Sequence, residues 1–305
     1  MESLTHFALQ EKYDKVKKLR SRLDEMNKLI DWNNFLSIFP DRESLRGRPN
    51  YEKILMLKLL FLQGWYGLSD EELEFQVNDR LSFQQFLSFP NFIPDYSTIW
   101  RFRESLAEDD TLDKIWSELQ KQIELKHITI EKGVIQDATF IVAEPGKTDS
   151  GMNHRGQMAK TSRSKDGSWT KKGEKSFFGY KAHAKIQRNS KIVKELAVTT
   201  ARVSDTAIDL AKPDEIAYRD KGYTGVKTRA LGDGTMKRGN LTPHELLRNK
   251  RIQAKRSQGE HPFGTIHRAM HGGETRLTTV YRVFIQQIFV FAAYNLFRLA
   301  TLVKV

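Results

Sequence analysis

Asp137, Asp220 and Glu260 are three acids whose settings would let them act on the same cation. Asp137 sits inside VIQDATFIV, a β-branched, alternating run between a glycine and a proline that reads as a strand. Aspartate is disfavoured in a strand interior, and an unpaired charge among buried neighbours is costly. Asp220 ends the strand EIAYRD directly before Lys221-Gly222-Tyr223, and Glu260 stands near the start of a helical segment in RSQGEHPFG. If the two strands are neighbours, their carboxylates converge at one edge of the sheet, and a helix can bring Glu260 alongside. Three converging carboxylates repel and cannot all stay ionised unaided. Divalent cations relieve that repulsion, and hard oxygen donors suit Mg²⁺ or Mn²⁺. Two such ions about 3.5–4 Å apart clamp a phosphodiester between its attacking and leaving oxygens. A structural ion pair is the plain alternative for any one of these acids taken singly.

The elements that must hold these acids fall into two textures. Up to Ile130 the chain reads as helical. Glu11 to Ile30 is a charged amphipathic helix, and Tyr51 to Trp65 is strongly apolar, with Pro49 close to its first turn. Ser69 heads DEELEFQV with Glu72 three positions on, the pattern of a capping box. Ser97 is the expected cap of TIWRFRESL. Short helices around tight turns, the last carrying Trp100, Arg101 and Arg103, fit a helix-turn-helix-like DNA module or a plain helical bundle, with Trp100 expected in the core. From Gly133 strands take over: VIQDATFIVAE, FFGYKAHAKIQ, KIVKELAVTTA and EIAYRD. A short helix is expected over Ser204 to Leu210, helical structure from Thr242 onward, and a buried helix over Tyr281 to Val303. The order points to a mixed α/β (α+β) sheet domain with helices after it. A ribonuclease-H-like fold is the best match to that order.

Composition narrows the field. The 305 residues include no cysteine, which removes disulfide scaffolds, thiolate zinc sites, iron–sulfur clusters and cysteine nucleophiles, and fits a reducing cytoplasm. MESLTHFALQEKYDKVKK lacks the apolar core of a signal peptide, and Val283 to Val305 is broken by Gln286, Gln287, Asn295, Arg298 and Lys304. No membrane partner is expected. The formal net charge is +12, unevenly placed: 18 Lys and Arg stand against 22 Asp and Glu up to Ile130, and 32 against 16 from Glu131 on. The basic excess shares its half of the chain with the three acids and points to a polyanion, nucleic acid foremost. Residues 146–175, with 8 Lys and Arg, 3 Asp and Glu and a lone Trp169, are expected as a long exposed basic loop or a hairpin insertion.

QDAT at Gln136–Thr139, FFGYKAH at Phe177–His183, YRDKGY at Tyr218–Tyr223 and RSQGEHPFGTIHR at Arg256–Arg268 resemble the prokaryotic insertion-sequence transposases with a DDE triad. The group named after the fifth insertion sequence, within the wider fourth-insertion-sequence-like superfamily, is the most similar. GRPNYEKILMLKLLFLQGWYGLSDEELE also looks like that group's amino-terminal region, so the likeness covers most of the chain. It implies a helical domain over 1–130 and a ribonuclease-H-like catalytic domain over 131–305, with Asp137, Asp220 and Glu260 binding two Mg²⁺ ions, for which Mn²⁺ can substitute. It implies cleavage of double-stranded DNA at element ends, transfer of the 3′-hydroxyl ends to target DNA, and a homodimer when two ends are synapsed. It implies work beside the nucleoid and no small-molecule substrate. The family's signature around the glutamate is Tyr-x-x-Arg-x-x-x-Glu, then Lys after six residues. Arg256 and Glu260 match, Gln253 stands in place of the Tyr, and His267, followed by Arg268, in place of the Lys. Accessory or DNA contacts are further expected from Lys221, Tyr223, Lys181, His183 and Trp169. Lys181 and His183, two apart, share a strand face.

Overall fold

A computed structural model describes residues 22–39, 50–107, 109–126, 133–146 and 166–303, together with 11, 12, 14, 15 and 18. The chain divides into two compact units, Met1–Lys126 with Leu296–Val305, and His127–Asn295. The last ten residues, expected with the catalytic domain, thus belong to the first unit. Part of the helix expected over Glu11 to Ile30 and most of the basic loop expected over 146–175 lie outside the described residues.

The first unit is helical. Helix α1 (Arg22–Leu29) buries Leu23, Met26 and Leu29 on one stripe, and a 3-10 segment, Trp32–Ile38, follows. Helix α2 (Lys53–Tyr66) is buried along nearly its whole length and stops at Gly67, whose φ of 65° favours glycine. Helix α3 (Asp70–Asp79) starts at Ser69, whose hydroxyl accepts the Glu72 amide at 3.1 Å. Among the described residues the reciprocal half of the expected box is absent, for the Glu72 carboxylate accepts from Gln76 instead. Helix α4 (Leu81–Phe86) leads to α5 (Tyr96–Ser105), which is capped by Asp95 rather than Ser97. The Asp95 carboxylate accepts both the Thr98 amide, at 2.7 Å, and the Ser97 hydroxyl, at 2.6 Å. Helix α6 (Thr111–Leu125) buries Leu112, Ile115, Leu119 and Ile123 at helical spacing.

The second unit is built on a seven-stranded mixed sheet. Strand β1 (Gly133–Ala143) pairs antiparallel with β3 (Lys175–Gln187), from Val134↔Gln187 to Val142↔Gly179. On its far side β3 meets β2 (Ser168–Lys172) and β4 (Val193–Thr200), both antiparallel. The other side of β1 pairs parallel with β5 (Ile216–Arg219), which pairs parallel with β6 (Gly232–Thr235). The central order is β4-β3-β1-β5-β6, an antiparallel trio followed by two parallel strands, as the ribonuclease-H-like expectation requires. Helix α7 (Pro243–Arg256) follows, with a complete capping box at Thr242 and Glu245. A 3-10 turn at Ser257–Gly259 bends the chain into α8 (Glu260–Ala269), after which β7 (Glu274–Thr275) adds to the end of β1.

Helix α9 (Val280–Val303) is long and apolar enough to cross a membrane, but 72% of its most apolar stretch is buried inside the protein. A largely buried core helix has that character.

Candidate active site

The strand pairing places the two aspartates beside each other. β1 and β5 run parallel with Ile135 opposite Tyr218, so two residues further on the same register sets Asp137 opposite Asp220. Asp137 is still inside β1, whereas Asp220 has just left β5 and heads the 3-10 turn Lys221–Tyr223. Its Oδ1 accepts the Gly222 amide at 2.7 Å, which fixes the carboxylate at the carboxyl end of the strand. Ligands gather at the carboxyl ends of parallel strands in open sheets.

Glu260 reaches the pair through Arg256. The Arg256 Nη1 donates to Asp137 Oδ2 at 2.6 Å, and Nη2 lies 3.8 Å from Glu260 Oε1. The two helices come this close to β1 because residue 259 is glycine: a Cβ there would lie 2.7 Å from the Ile135 side chain. About two turns further along α8, His267 Nε2 lies 2.8 Å from the hydroxyl of Thr139, which is on the Asp137 face of β1. Helices α7 and α8 therefore cover the face of the sheet that carries Asp137.

The opposite face holds these strands together from below. Arg219 is fully buried, and its Nε donates to Gln136 Oε1 at 2.9 Å while a second nitrogen donates to Asp209. Gln136 also donates to the Ile208 carbonyl at 2.6 Å. Lys181 and His183 pair with Phe140 and Ala138, so they project from this lower face and not from the one bearing Asp137. Both are buried, which corrects the expectation that they contact DNA. Strand alternation fixes that the two share a face, but only the register with β1 says which. His183 Nε2 lies 2.9 Å from the Thr199 hydroxyl, and burial lowers its pKa to about 4, so the ring is neutral. Lys181 donates to the Val203 carbonyl and to Asp205 Oδ1 at 2.8 and 2.9 Å.

Asp205 is a fourth acid that the sequence did not single out. A methyl group on Gly222 would sit 2.8 Å from Asp220 Oδ1 and 3.4 Å from Asp205 Oδ2, so the two carboxylates border one small space. Asp205 heads the 3-10 turn Asp205–Ala207, capped by Ser204, which is all that forms of the helix expected over Ser204 to Leu210, and nothing local in SDTA ties it to the strands. Tyr223 is buried against this acid group with its hydroxyl unpartnered among the described residues, and burial together with Asp205, Asp137 and Asp220 pushes its pKa up. Burial also lifts the Asp137 pKa; Arg256 and the Ala138 amide hold it down, and Asp220 adds to the lift. The field at this spot is one that a cation would relieve.

Hard carboxylate oxygens, a half-buried aspartate beside another, and an orphaned hydroxyl fit a divalent ion in donor chemistry. The third ligand is not yet assembled. Glu260 is 63% exposed, and among the described residues no three His, Asp or Glu side chains form a group ready to hold a metal. The guanidinium of Arg256 supplies the positive charge at Asp137.

Residues 129–296 match the family model described as a transposase DDE domain, and residues 10–105 match a transposase domain (DUF772). The chain belongs to the DDE-domain transposases. The DDE domain brings with it DNA as the partner, transposition as the process and dependence on a divalent metal. No solved structure matches it significantly.

Within this transposase chain the remaining expected contacts fare unevenly. Arg103 is not free to meet DNA: it is buried and donates to both oxygens of Asp70, at 2.5 and 2.9 Å, and to Gln63 at 3.1 Å. Its side chain closes α5 onto α3, a role that a basic residue near a helix end hides in sequence. Trp100, expected in the core, is 42% exposed, and Arg101 is exposed beside it. Lys221 is exposed next to Asp220. His267 is exposed, yet partial desolvation lowers its pKa, so it does not supply the fixed charge of the signature's lysine. The exposed Arg268 turns its Nε to its own helix, at the Gly264 carbonyl. Trp169, on β2, is 39% exposed and packs one side against Phe178, with ring centroids 5.4 Å apart.

Proposed function

We propose that this chain cuts DNA at the ends of an insertion sequence and joins the resulting 3′-hydroxyl ends to target DNA, with Asp137, Asp220 and Glu260 as its working carboxylates. One observation carries this reading: Asp137, inside β1, and Asp220, one residue past the end of the adjacent parallel strand β5, lie near enough for Asp220 to act on the Asp137 charge, with Arg256 linking Asp137 to Glu260 from the covering helices. Asp137 and Asp220, joined by Glu260, would hold Mg²⁺, or Mn²⁺ in its place, and two such ions would supply charge stabilisation for both the attacking and the leaving oxygen.

The chain's own residues do the placing. The buried Gln136–Arg219–Asp209 set holds β1 and β5 in register, so the two aspartates cannot slide apart without stranding a guanidinium. Asp220 is kept aimed by the Gly222 amide. Arg256 neutralises Asp137 until a cation does so, and afterwards its guanidinium is free for a phosphate. In cleavage, a water oxygen bonds to phosphorus as the phosphorus–O3′ bond breaks and leaves a 3′-hydroxyl. In transfer, that hydroxyl oxygen bonds to a target phosphorus as the target's own P–O3′ bond breaks. Both steps share one in-line geometry, so one site serves both. Joining two ends calls for two copies of the chain on DNA.

The test is cleavage of a duplex carrying the native element end, with and without Mg²⁺, by the wild type and by Glu260→Gln. Cleavage that needs no divalent ion, or that survives the substitution, overturns the assignment. A pre-cut 3′-hydroxyl end separates transposition from plain hydrolysis: strand transfer should yield a joined product, and hydrolysis alone would point to a nuclease.

A further inference from the structure

Helix α7 carries a cationic stripe that the carboxylate site does not use. His244, Arg248, Arg251 and Lys255 recur at spacings of four, three and four, which sets them on one side of the helix. Together with Tyr218 and Leu247 they line an open groove of about 320 Å³ between α7 and the strands β5 and β6. Its floor is kept low by glycine: at Gly234 a Cβ would lie 2.7 Å from the Tyr218 ring.

Two of these four side chains have structural work. Arg248 donates to the Thr235 carbonyl at 2.8 Å and the Asp233 carbonyl at 3.1 Å, which covers acceptors of the edge strand β6. Lys255 donates to the Tyr218 hydroxyl at 3.1 Å, with its Nζ 4.8 Å from the ring centroid. The groove's one acid, Asp233, accepts the Thr235 amide and lies 3.9 Å from Arg219. Arg251 and His244 are exposed and make no hydrogen bond or ion pair among the described residues. They are seven residues apart, about 10 Å along the helix axis. That span matches about three nucleotide steps along one DNA strand, at about 3.4 Å of rise each.

The groove also runs to the right place. Lys255 precedes Arg256, which holds Asp137, and Tyr218 stands two residues before Asp220. We propose that this groove is a track for the DNA backbone, in which Arg251 and His244 contact phosphates of the strand flanking the cut while Arg248 and Lys255 hold the walls. The proposal rests on the DNA-transposase reading above and adds to it where the flanking strand lies.

The test compares Arg251→Ala and His244→Ala with Lys250→Ala in the full chain. Lys250 is exposed on the same helix but does not line the groove, so its loss removes the same charge from a different side. Affinity for a fluorescent duplex is titrated over a range of salt. Arg251→Ala should weaken binding about fivefold to tenfold near 0.1 M salt and reduce the slope of log K against log salt by about 0.9, the share of one phosphate contact. His244→Ala should weaken binding as well, and Lys250→Ala should change neither affinity nor slope appreciably. Equal losses for Arg251 and Lys250, or no loss for Arg251, overturn the groove proposal. A wild type that fails to bind duplex DNA even at low salt would overturn the wider reading instead.

Discussion

Replacing Arg256 by glutamine should destabilise the sheet unit and at the same time make it a better binder of Mg²⁺. The side chains of Arg256 and Asp137 are only 13% and 16% exposed, and their closest atoms are 2.6 Å apart. Opposite charges about 4 Å apart attract by about 4 kcal/mol at an effective dielectric of 20, and breaking a buried pair costs about 3–5 kcal/mol. The residual exposure brings the expected loss to about 2–3 kcal/mol. The Glu260 contact adds little, since that carboxylate is largely in water and 3.8 Å away. Native-state hydrogen exchange at the β1 amides, with Asp137→Asn and the double variant closing the cycle, isolates the pair from the first unit. The Mg²⁺ arm runs the other way. In the wild type a cation must displace the guanidinium from Asp137, and in the variant it need not, so Mg²⁺ should raise β1 protection more in Arg256→Gln. A tenfold gain in affinity corresponds to about 1.4 kcal/mol. A loss below about 0.5 kcal/mol, or the same Mg²⁺ effect in both proteins, would refute the view that Arg256 stands in for the cation.

Two further outcomes follow from buried charge. His183 is held neutral with its pKa near 4, below its ordinary 6.5, so its contribution to stability is complete above pH 6.5 and is lost as pH falls towards 4. About 2 kcal/mol should be gone by pH 5, and urea unfolding of His183→Gln should lack that part of the loss; identical pH dependence in the two proteins would remove the histidine from the account. Arg103→Gln should cost the helical unit about 3 kcal/mol, since it breaks a bidentate pair that is mostly buried, yet leave the affinity of the folded protein for DNA unchanged. A specific loss of end binding at full stability would return Arg103 to the DNA contacts.

The three acids proposed for the site stand out in the sequence because each announces itself locally. An aspartate inside a β-branched run, another straight after a strand, and a glutamate after an Arg-rich helical stretch need no tertiary information to stand out. What the chain hides is sidedness. Lys181 and His183 alternate correctly, but their face is decided by the pairing of Lys181 with Phe140 and Ala184 with Asp137. Arg103 looks like any basic residue near a helix end until Asp70, 33 positions earlier, is folded against it. Strand β6, GDGT, has no β-branched alternation to betray it and exists as a strand through its parallel pairing with β5. Asp205 sits in a loop, and only the approach of that loop to Gly222 gives it a place among the acids.

The placement of Leu296–Val305 in the first unit has a consequence for how the protein comes into being. Phe297 packs on Trp65 with ring centroids 6.2 Å apart, and Arg22 lies over the same ring at 5.0 Å. Domains made first on the ribosome usually finish first. Here the helical unit must wait, its core unfinished, until every strand of the sheet has been synthesised. Half-made chains therefore carry an incomplete helical unit, and a premature stop just before residue 296 would spare all seven strands and still injure the part of the protein that was translated earliest.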